Sequence, residues 1–145
     1  MRYLLDINFI VAMFDSAHVN HESAHTWFGS MGVQAWATCP ITENGCIRVL
    51  SNPSYPTVTA TPNTVARRLA AFCAHPNHEF WPDDISLITD FDETARSRLL
   101  GHQQITDFYL TALAFRHGGR LVTFDGSLAR SLAGTDMGKS IEIVE

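Results

Sequence analysis

The sequence has few cysteines, a single lysine and no long hydrophobic run. Its three cysteines, Cys39, Cys46 and Cys73, lack the paired spacing of zinc ligands, so they predict neither a disulfide framework nor a zinc site. The apolar stretch Phe9–Phe14 falls far short of the roughly 20 residues that cross a bilayer, and the amino terminus carries no export-signal pattern. We therefore expect a cytoplasmic protein without membrane contact.

Composition and charge limit the class of protein further. With 145 residues, 46% hydrophobic and 17% charged, the chain predicts one globular domain over residues 1–145. The net charge of −5 argues against a protein that wraps nucleic acid in a general positive field. No P-loop, dinucleotide-binding glycine motif or Ser/His/Asp nucleophile motif occurs. Because of this negative net charge, any contact with nucleic acid must be confined to a small part of the surface.

Short apolar runs alternate with segments of helical periodicity along the whole chain. The runs predict strands at Tyr3–Leu5, Ala35–Ala37, Leu121–Phe124 and Ile141–Val144. The periodic segments predict helices at Asn20–Met31, Thr42–Leu50, Pro62–Ala74, Glu93–Leu100 and Asp107–His117. This alternation is typical of an α/β fold with a mainly parallel sheet covered by helices on both faces.

Two predicted strands end on an aspartate. Asp6 closes "RYLLD" and Asp125 closes "RLVTFD". In open parallel sheets, ligands bind outside the carboxyl ends of the strands. We therefore expect both carboxylates at one edge of the sheet, side by side if the two strands are neighbours.

Two further acids lie on predicted helices. Glu43, Ile47 and Leu50 share one line at about 100° per residue, so this carboxylate lies on the face that should be buried. Asp107 lies in the first turn of the most apolar helix. Taken alone, Asp107 could simply complement the helix dipole beside a Thr106 cap, and strand-end aspartates often cap loops.

The four acids are more informative as a group than any one of them alone. They have no cationic partner nearby in sequence, and crowded carboxylates repel one another and resist ionisation. A divalent cation removes this repulsion, and ligation by carboxylates alone suits Mg²⁺ or Mn²⁺. The acids therefore predict a metal site.

Four stretches resemble the PIN-domain ribonucleases, specifically the VapC-type toxins of type II toxin–antitoxin pairs. They are "LLDIN" (residues 4–8), "HVNHESAHTWF" (18–28), "TENGCIRVLSNP" (42–53) and "TDFYLTALAFRHGGRLVTFD" (106–125). The last is the most specific, because it joins an acidic helix start, a glycine turn and an acidic strand end. The resemblance covers essentially the whole chain.

The resemblance implies a three-layer α/β/α sandwich and a pocket in which Asp6, Glu43, Asp107 and Asp125 correspond to the four catalytic, metal-binding acids of the family. Asn8 and Thr106 match its supporting polar positions. The implied function is Mg²⁺-dependent endoribonuclease activity on single-stranded or loop sites, in tRNA or rRNA for example. A cognate VapB-like antitoxin would neutralise it, and a homodimer is expected.

The implied chemistry needs no nucleophilic side chain, because one or two bound ions activate a water for in-line attack on phosphorus. We expect arginines near the pocket mouth, Arg48 and Arg116, to position the RNA backbone.

Three alternatives stand beside this interpretation. His18, His21 and His25 could share a helical edge and hold a transition metal. The domain could be catalytically silent and use its acidic pocket only to bind a partner. A phosphatase of the haloacid dehalogenase type also starts from a strand-end aspartate, but it needs a second aspartate where this chain has Asn8.

Overall fold

The computed structural model describes residues 1–145 and contains one five-stranded sheet. Every pair of neighbouring strands is parallel, and their order is β3-β2-β1-β4-β5. The strands are β1 (Tyr3–Leu5), β2 (Trp36–Thr38), β3 (His78–Phe80), β4 (Arg120–Thr123) and β5 (Ile141–Ile143). The expected parallel sheet is confirmed, and the edge strand β3 is an addition that the sequence did not indicate.

Helices connect the strands. They are α1 (Ile7–Phe14), α2 (His21–Ser30), α3 (Pro40–Ser51), α4 (Pro62–Cys73), α5 (Glu93–Arg96), α6 (Ile105–Arg116) and α7 (Ser127–Ser131), with short 3₁₀ turns at Gly32–Gln34, His102–Gln104 and Met137–Ser140. The five expected helices are present, although the one expected at 93–100 already ends at Arg96. None of the helices is long and apolar enough to cross a membrane.

The core lies on both faces of the sheet, because β1 is buried on both sides. Tyr3 and Leu5 pack into a cluster with α1, α3 and α4, whereas Leu4 packs into a second cluster with α6. Successive side chains of a strand point to opposite faces, so three residues of β1 serve both layers. The result is the expected α/β/α sandwich.

Helix α4 provides a test of the local structure. Thr61 caps it, and its side-chain oxygen accepts a hydrogen bond of 3.1 Å from the backbone N–H of Thr64. Thr61→Ala should lower the free energy of unfolding by about 1 kcal/mol, because this N–H loses its partner. Urea denaturation measures the change. The matched control is Thr59→Ala, at an exposed loop threonine, and an equal effect of both variants would contradict the capping role.

Candidate metal centre at the carboxyl edge of the sheet

The pairing of β1 with β4 brings two of the predicted acids to neighbouring strand ends. Leu5 lies opposite Val122, and the backbone N–H of Asp6 donates to the Val122 carbonyl at 3.0 Å. Asp6 follows β1 directly, and Asp125 follows β4 by two residues. The strands are neighbours, so both acids lie at the carboxyl edge of the sheet.

Asp6 is buried and held in one orientation. One carboxylate oxygen accepts from the Ile7 N–H at 2.7 Å, and the other accepts from the Thr123 hydroxyl at 2.8 Å. Only 4% of the residue is exposed. Burial raises its pKa, and the charge of Asp125 adds to this, while the bonds from Thr123 and Ile7 act in the opposite direction. The carboxylate is thus fixed but costly to ionise without a cation.

Asp107 joins the two strand-end acids from the first turn of α6. Burial raises its pKa to about 7, and the charges of Asp6 and Asp125 contribute to the shift. Asp125 is exposed, and its Oδ1 accepts a hydrogen bond from Ser127 N–H at 2.9 Å. No lysine, arginine or histidine forms an ion pair with any of the three. We call Asp6, Asp107 and Asp125 the aspartate cluster.

Thr123 connects this cluster to its surroundings. Besides donating to Asp6, its hydroxyl oxygen accepts from the Asn8 side-chain amide at 3.1 Å and from the Asp125 N–H at 3.1 Å. No sequence pattern singled out Thr123, although it lies only two residues before Asp125. Asn8 contacts the cluster through this hydroxyl. Thr106 is exposed and has no hydrogen bond to Asp107.

An open cavity of about 500 Å³ adjoins the aspartate cluster. Its polar lining comprises Asp6, Asn8, His18, Arg48, Tyr55, Thr106 and Asp107. Arg48, one of the two arginines expected at the pocket mouth, therefore lines this cavity. Arg116 is not, because its guanidinium pairs with Asp90 at 3.6 Å.

Glu43 does not join the aspartate cluster. Its carboxylate accepts from the Thr38 hydroxyl at 2.6 Å and lines a separate cavity between α3 and α4 with Ile47. Glu43 and Ile47 do share one face of α3, as predicted, but this face packs towards α4 and not towards the aspartate cluster. The face of α3 towards Ile7, the residue after Asp6, holds Gly45, where a Cβ would clash with the Ile7 side chain.

The register of α3 explains why Glu43 points away from the aspartate cluster. Gly45 is two residues after Glu43, which is about 200° around the helix axis. The expected group of four acids therefore contains three acids in this structure.

The histidines do not form the alternative metal site either. His18 precedes α2 and accepts from the Asn20 N–H through Nδ1 at 3.0 Å. The rings of His21 and His25 lie 4.3 Å apart and bond to the carbonyls of Ala12 and Met13 at the end of α1. These two rings satisfy helix-end carbonyls, which is a structural role.

A family model for the PIN domain matches residues 3–131. Two relatives from Mycobacterium tuberculosis, ribonuclease VapC39 and ribonuclease VapC44, are each 44% identical to this chain. The first match covers 90% of this chain and 94% of the relative, and the second covers 89% of each. The chain therefore belongs to the PIN domain family, and these relatives place it with the VapC-type members.

Two solved structures share the fold. The Mycobacterium tuberculosis toxin VapC20, described as cleaving the sarcin–ricin loop, aligns with a TM-score of 0.63 at 16% identity, over 93% of this chain and 97% of its own. VapBC2 from Rickettsia felis, bound to a DNA fragment from its promoter, aligns with a TM-score of 0.64 at 13% identity, over the full length of both chains. At these identities the likeness concerns the fold alone.

The raised pKa of Asp107 predicts a dependence of stability on pH in metal-free protein. Between the ordinary aspartate pKa of 3.8 and the folded-state pKa of about 7, the folded state holds more protons than the unfolded state. The free energy of unfolding therefore contains a contribution that is fully present below pH 4 and disappears as the pH rises towards 7. Asp107→Asn should remove this loss of stability with rising pH, because the amide never ionises, so the variant should be more stable than the parent at pH 8.

Urea denaturation in the presence of EDTA, from pH 4 to 8, measures this difference. The control is Asp136→Asn, at an aspartate whose side chain is 89% exposed, and it should follow the parent curve. Parallel curves for the parent and Asp107→Asn would show that Asp107 titrates normally.

Proposed function

We propose that the protein is a metal-dependent endoribonuclease toxin that hydrolyses phosphodiester bonds of RNA at single-stranded or loop sites. The observation that carries the proposal is the aspartate cluster: three carboxylates at the carboxyl edge of a parallel sheet, beside an open cavity, with no cationic side chain paired to them. The identity to ribonucleases VapC39 and VapC44 supports the same activity.

The aspartate cluster fits a divalent cation of the Mg²⁺ or Mn²⁺ type. Its donors are carboxylate oxygens only, and their mutual repulsion is what such an ion relieves. Asp6, Asp107 and Asp125 would hold the ion, which would supply an acidified water and charge stabilisation at the phosphate. Glu43 accepts a hydrogen bond from Thr38 and lies on a different face of α3 from Gly45, so we assign it no role at this ion.

The remaining residues would hold the aspartates in place and orient the RNA backbone. Thr123 fixes the Asp6 carboxylate, and Asn8 and the backbone of Asp125 fix Thr123. Arg48 lines the same cavity, and its guanidinium offers paired donors to phosphate oxygens. The protein thus presents anionic oxygens for a cation and a cationic fork for the RNA backbone.

The proposed partners follow from the same charges. An unpaired carboxylate group attracts a cationic side chain, so we propose that a VapB-like antitoxin neutralises the protein by inserting a basic residue at the aspartate cluster. We also propose a homodimer, which light scattering of the purified protein can check.

The first test is RNA cleavage by purified, antitoxin-free protein. Asp6→Asn and Asp107→Asn should each reduce cleavage at least about 100-fold, because loss of a ligand removes several kcal/mol of transition-state stabilisation. EDTA should abolish cleavage, and Mg²⁺ or Mn²⁺ should restore it. Mapping of new 5′ ends in total bacterial RNA measures the cuts and locates the substrate.

Asp136→Asn is the control, because it removes the same charge at an exposed aspartate outside the aspartate cluster. Wild-type cleavage by either cluster variant would remove that residue from the mechanism. Absence of cuts with every metal, from folded protein, would favour a binding domain without catalysis.

The second test concerns Arg48. Arg48→Gln should weaken binding of single-stranded RNA and reduce the slope of log affinity against log salt by about 0.7, the share of one phosphate contact on a single strand. Fluorescence anisotropy in EDTA, across a salt series, measures both. Arg116→Gln is the matched control, because that guanidinium already pairs with Asp90. Equal salt slopes for both variants and the parent would exclude the Arg48 contact.

A further inference from the structure

A second group of ligand-type side chains lies away from the aspartate cluster, where α3, α4 and β3 meet. It consists of the Glu43 carboxylate, the Cys73 thiol and the His78 imidazole, whose ligand atoms all lie within 4.8 Å of one another. The three come from different elements: the first turn of α3, the last residue of α4 and the first residue of β3. All three side chains are half-buried.

Thr38, the buried last residue of β2, holds the group together. Its hydroxyl lies 2.6 Å from Glu43 Oε2, 2.8 Å from His78 Nε2 and 3.8 Å from Cys73 Sγ. A hydroxyl has one proton, which Thr38 donates to the carboxylate, so His78 must donate from Nε2. The three ligand atoms therefore converge on one point.

The three donors select a different ion from the aspartate cluster. One oxygen, one sulfur and one nitrogen form a mixed set that suits Zn²⁺ and similar transition metals and does not suit Mg²⁺. Ligand atoms bound to a tetrahedral zinc lie about 3.3 to 3.8 Å apart, as its bond lengths of roughly 2.0 to 2.3 Å require. The group at 4.8 Å would therefore close by about 1 Å around the ion.

The surroundings leave space for entry and for a fourth ligand. Glu43 and Cys73 line a cavity of about 210 Å³ between α3 and α4, whose other walls are Ile47, Ala66, Leu69 and Ala70. A water in this cavity can complete a tetrahedral site with three protein ligands. Metal binding would displace the proton of the Cys73 thiol, whose pKa burial raises, and would need the neutral His78 tautomer that carries its proton on Nδ1.

We propose that Glu43, Cys73 and His78 form a transition-metal site of the Zn²⁺ class, gathered by the Thr38 hydroxyl and separate from the aspartate cluster. The ion would tie α3 and α4 to the edge strand β3, which pairs with the sheet through only three residues. The cysteine spacing alone predicted no zinc site, because this site uses one cysteine with a glutamate and a histidine. The proposal does not depend on nuclease activity.

The test is titration of the reduced, metal-free full chain with Co²⁺ and then Zn²⁺, without RNA. The charge-transfer absorption of a cobalt–thiolate bond should appear and saturate with one Co²⁺ at this site, independently of any Co²⁺ at the aspartate cluster, and Zn²⁺ should remove the absorption by displacement. Cys73→Ser should lose this absorption, and His78→Asn should weaken Co²⁺ binding at least about tenfold. Circular dichroism checks that each variant is folded.

Two controls isolate the site. Cys46→Ser removes the neighbouring buried thiol of α3, and Asp6→Asn alters the aspartate cluster, and both should retain the absorption. Absence of stoichiometric Co²⁺ binding would overturn the proposal, as would thiolate absorption that survives in Cys73→Ser. If Cys73→Ser does not fold, a thiolate absorption in His78→Asn that saturates at the same Co²⁺ concentration as in the parent would overturn it equally. The outcome of this titration does not depend on whether the protein cleaves RNA.

Discussion

The parallel pairing of β1 with β4 is the constraint on which the rest of the site depends. It sets the end of β1 beside the end of β4, so that Thr123 reaches the Asp6 carboxylate at 2.8 Å. Without this register, Asp6 would be a buried carboxylate with a single backbone partner. With it, Asp6, Asp125 and Asp107 share one edge, where burial, with a further contribution from the charges of Asp6 and Asp125, raises the pKa of Asp107 to about 7. The fold thus maintains an unfavourable group of charges that a cation relieves.

Helix α3 separates two environments. The side towards α1 contains Gly45, which allows Ile7 to pack against the helix, and Arg48 of the same helix lines the cavity beside the aspartate cluster. The side towards α4 contains Glu43 and Ile47. The aspartate cluster has oxygen ligands only, whereas the group around Thr38 mixes oxygen, sulfur and nitrogen. One helix therefore borders two sites of different chemistry.

The sequence predicted the features that depend on local pattern. Periodicity predicts the strand ends, the first turn of α6 and the apolar faces of α3 and α4. It was therefore enough to predict that three of the four acids lie at the carboxyl edge of the sheet. Helix α1 has no amphipathic stripe, because nearly every residue after Asn8 is buried, and β3 is a polar edge strand of three residues. The direction of Glu43 depends on which neighbour each face of α3 meets, and a helical line of residues alone does not contain that information.

A crystal structure of the protein grown with Mn²⁺ would show whether the aspartate cluster holds an ion, because anomalous scattering locates the metal without reference to activity. We expect a manganese peak within coordinating distance of Asp6, Asp107 and Asp125, with Glu43 still bonded to Thr38. A single ion held by both the aspartate cluster and Glu43, or a well-ordered aspartate cluster with no peak at saturating Mn²⁺, would contradict this expectation.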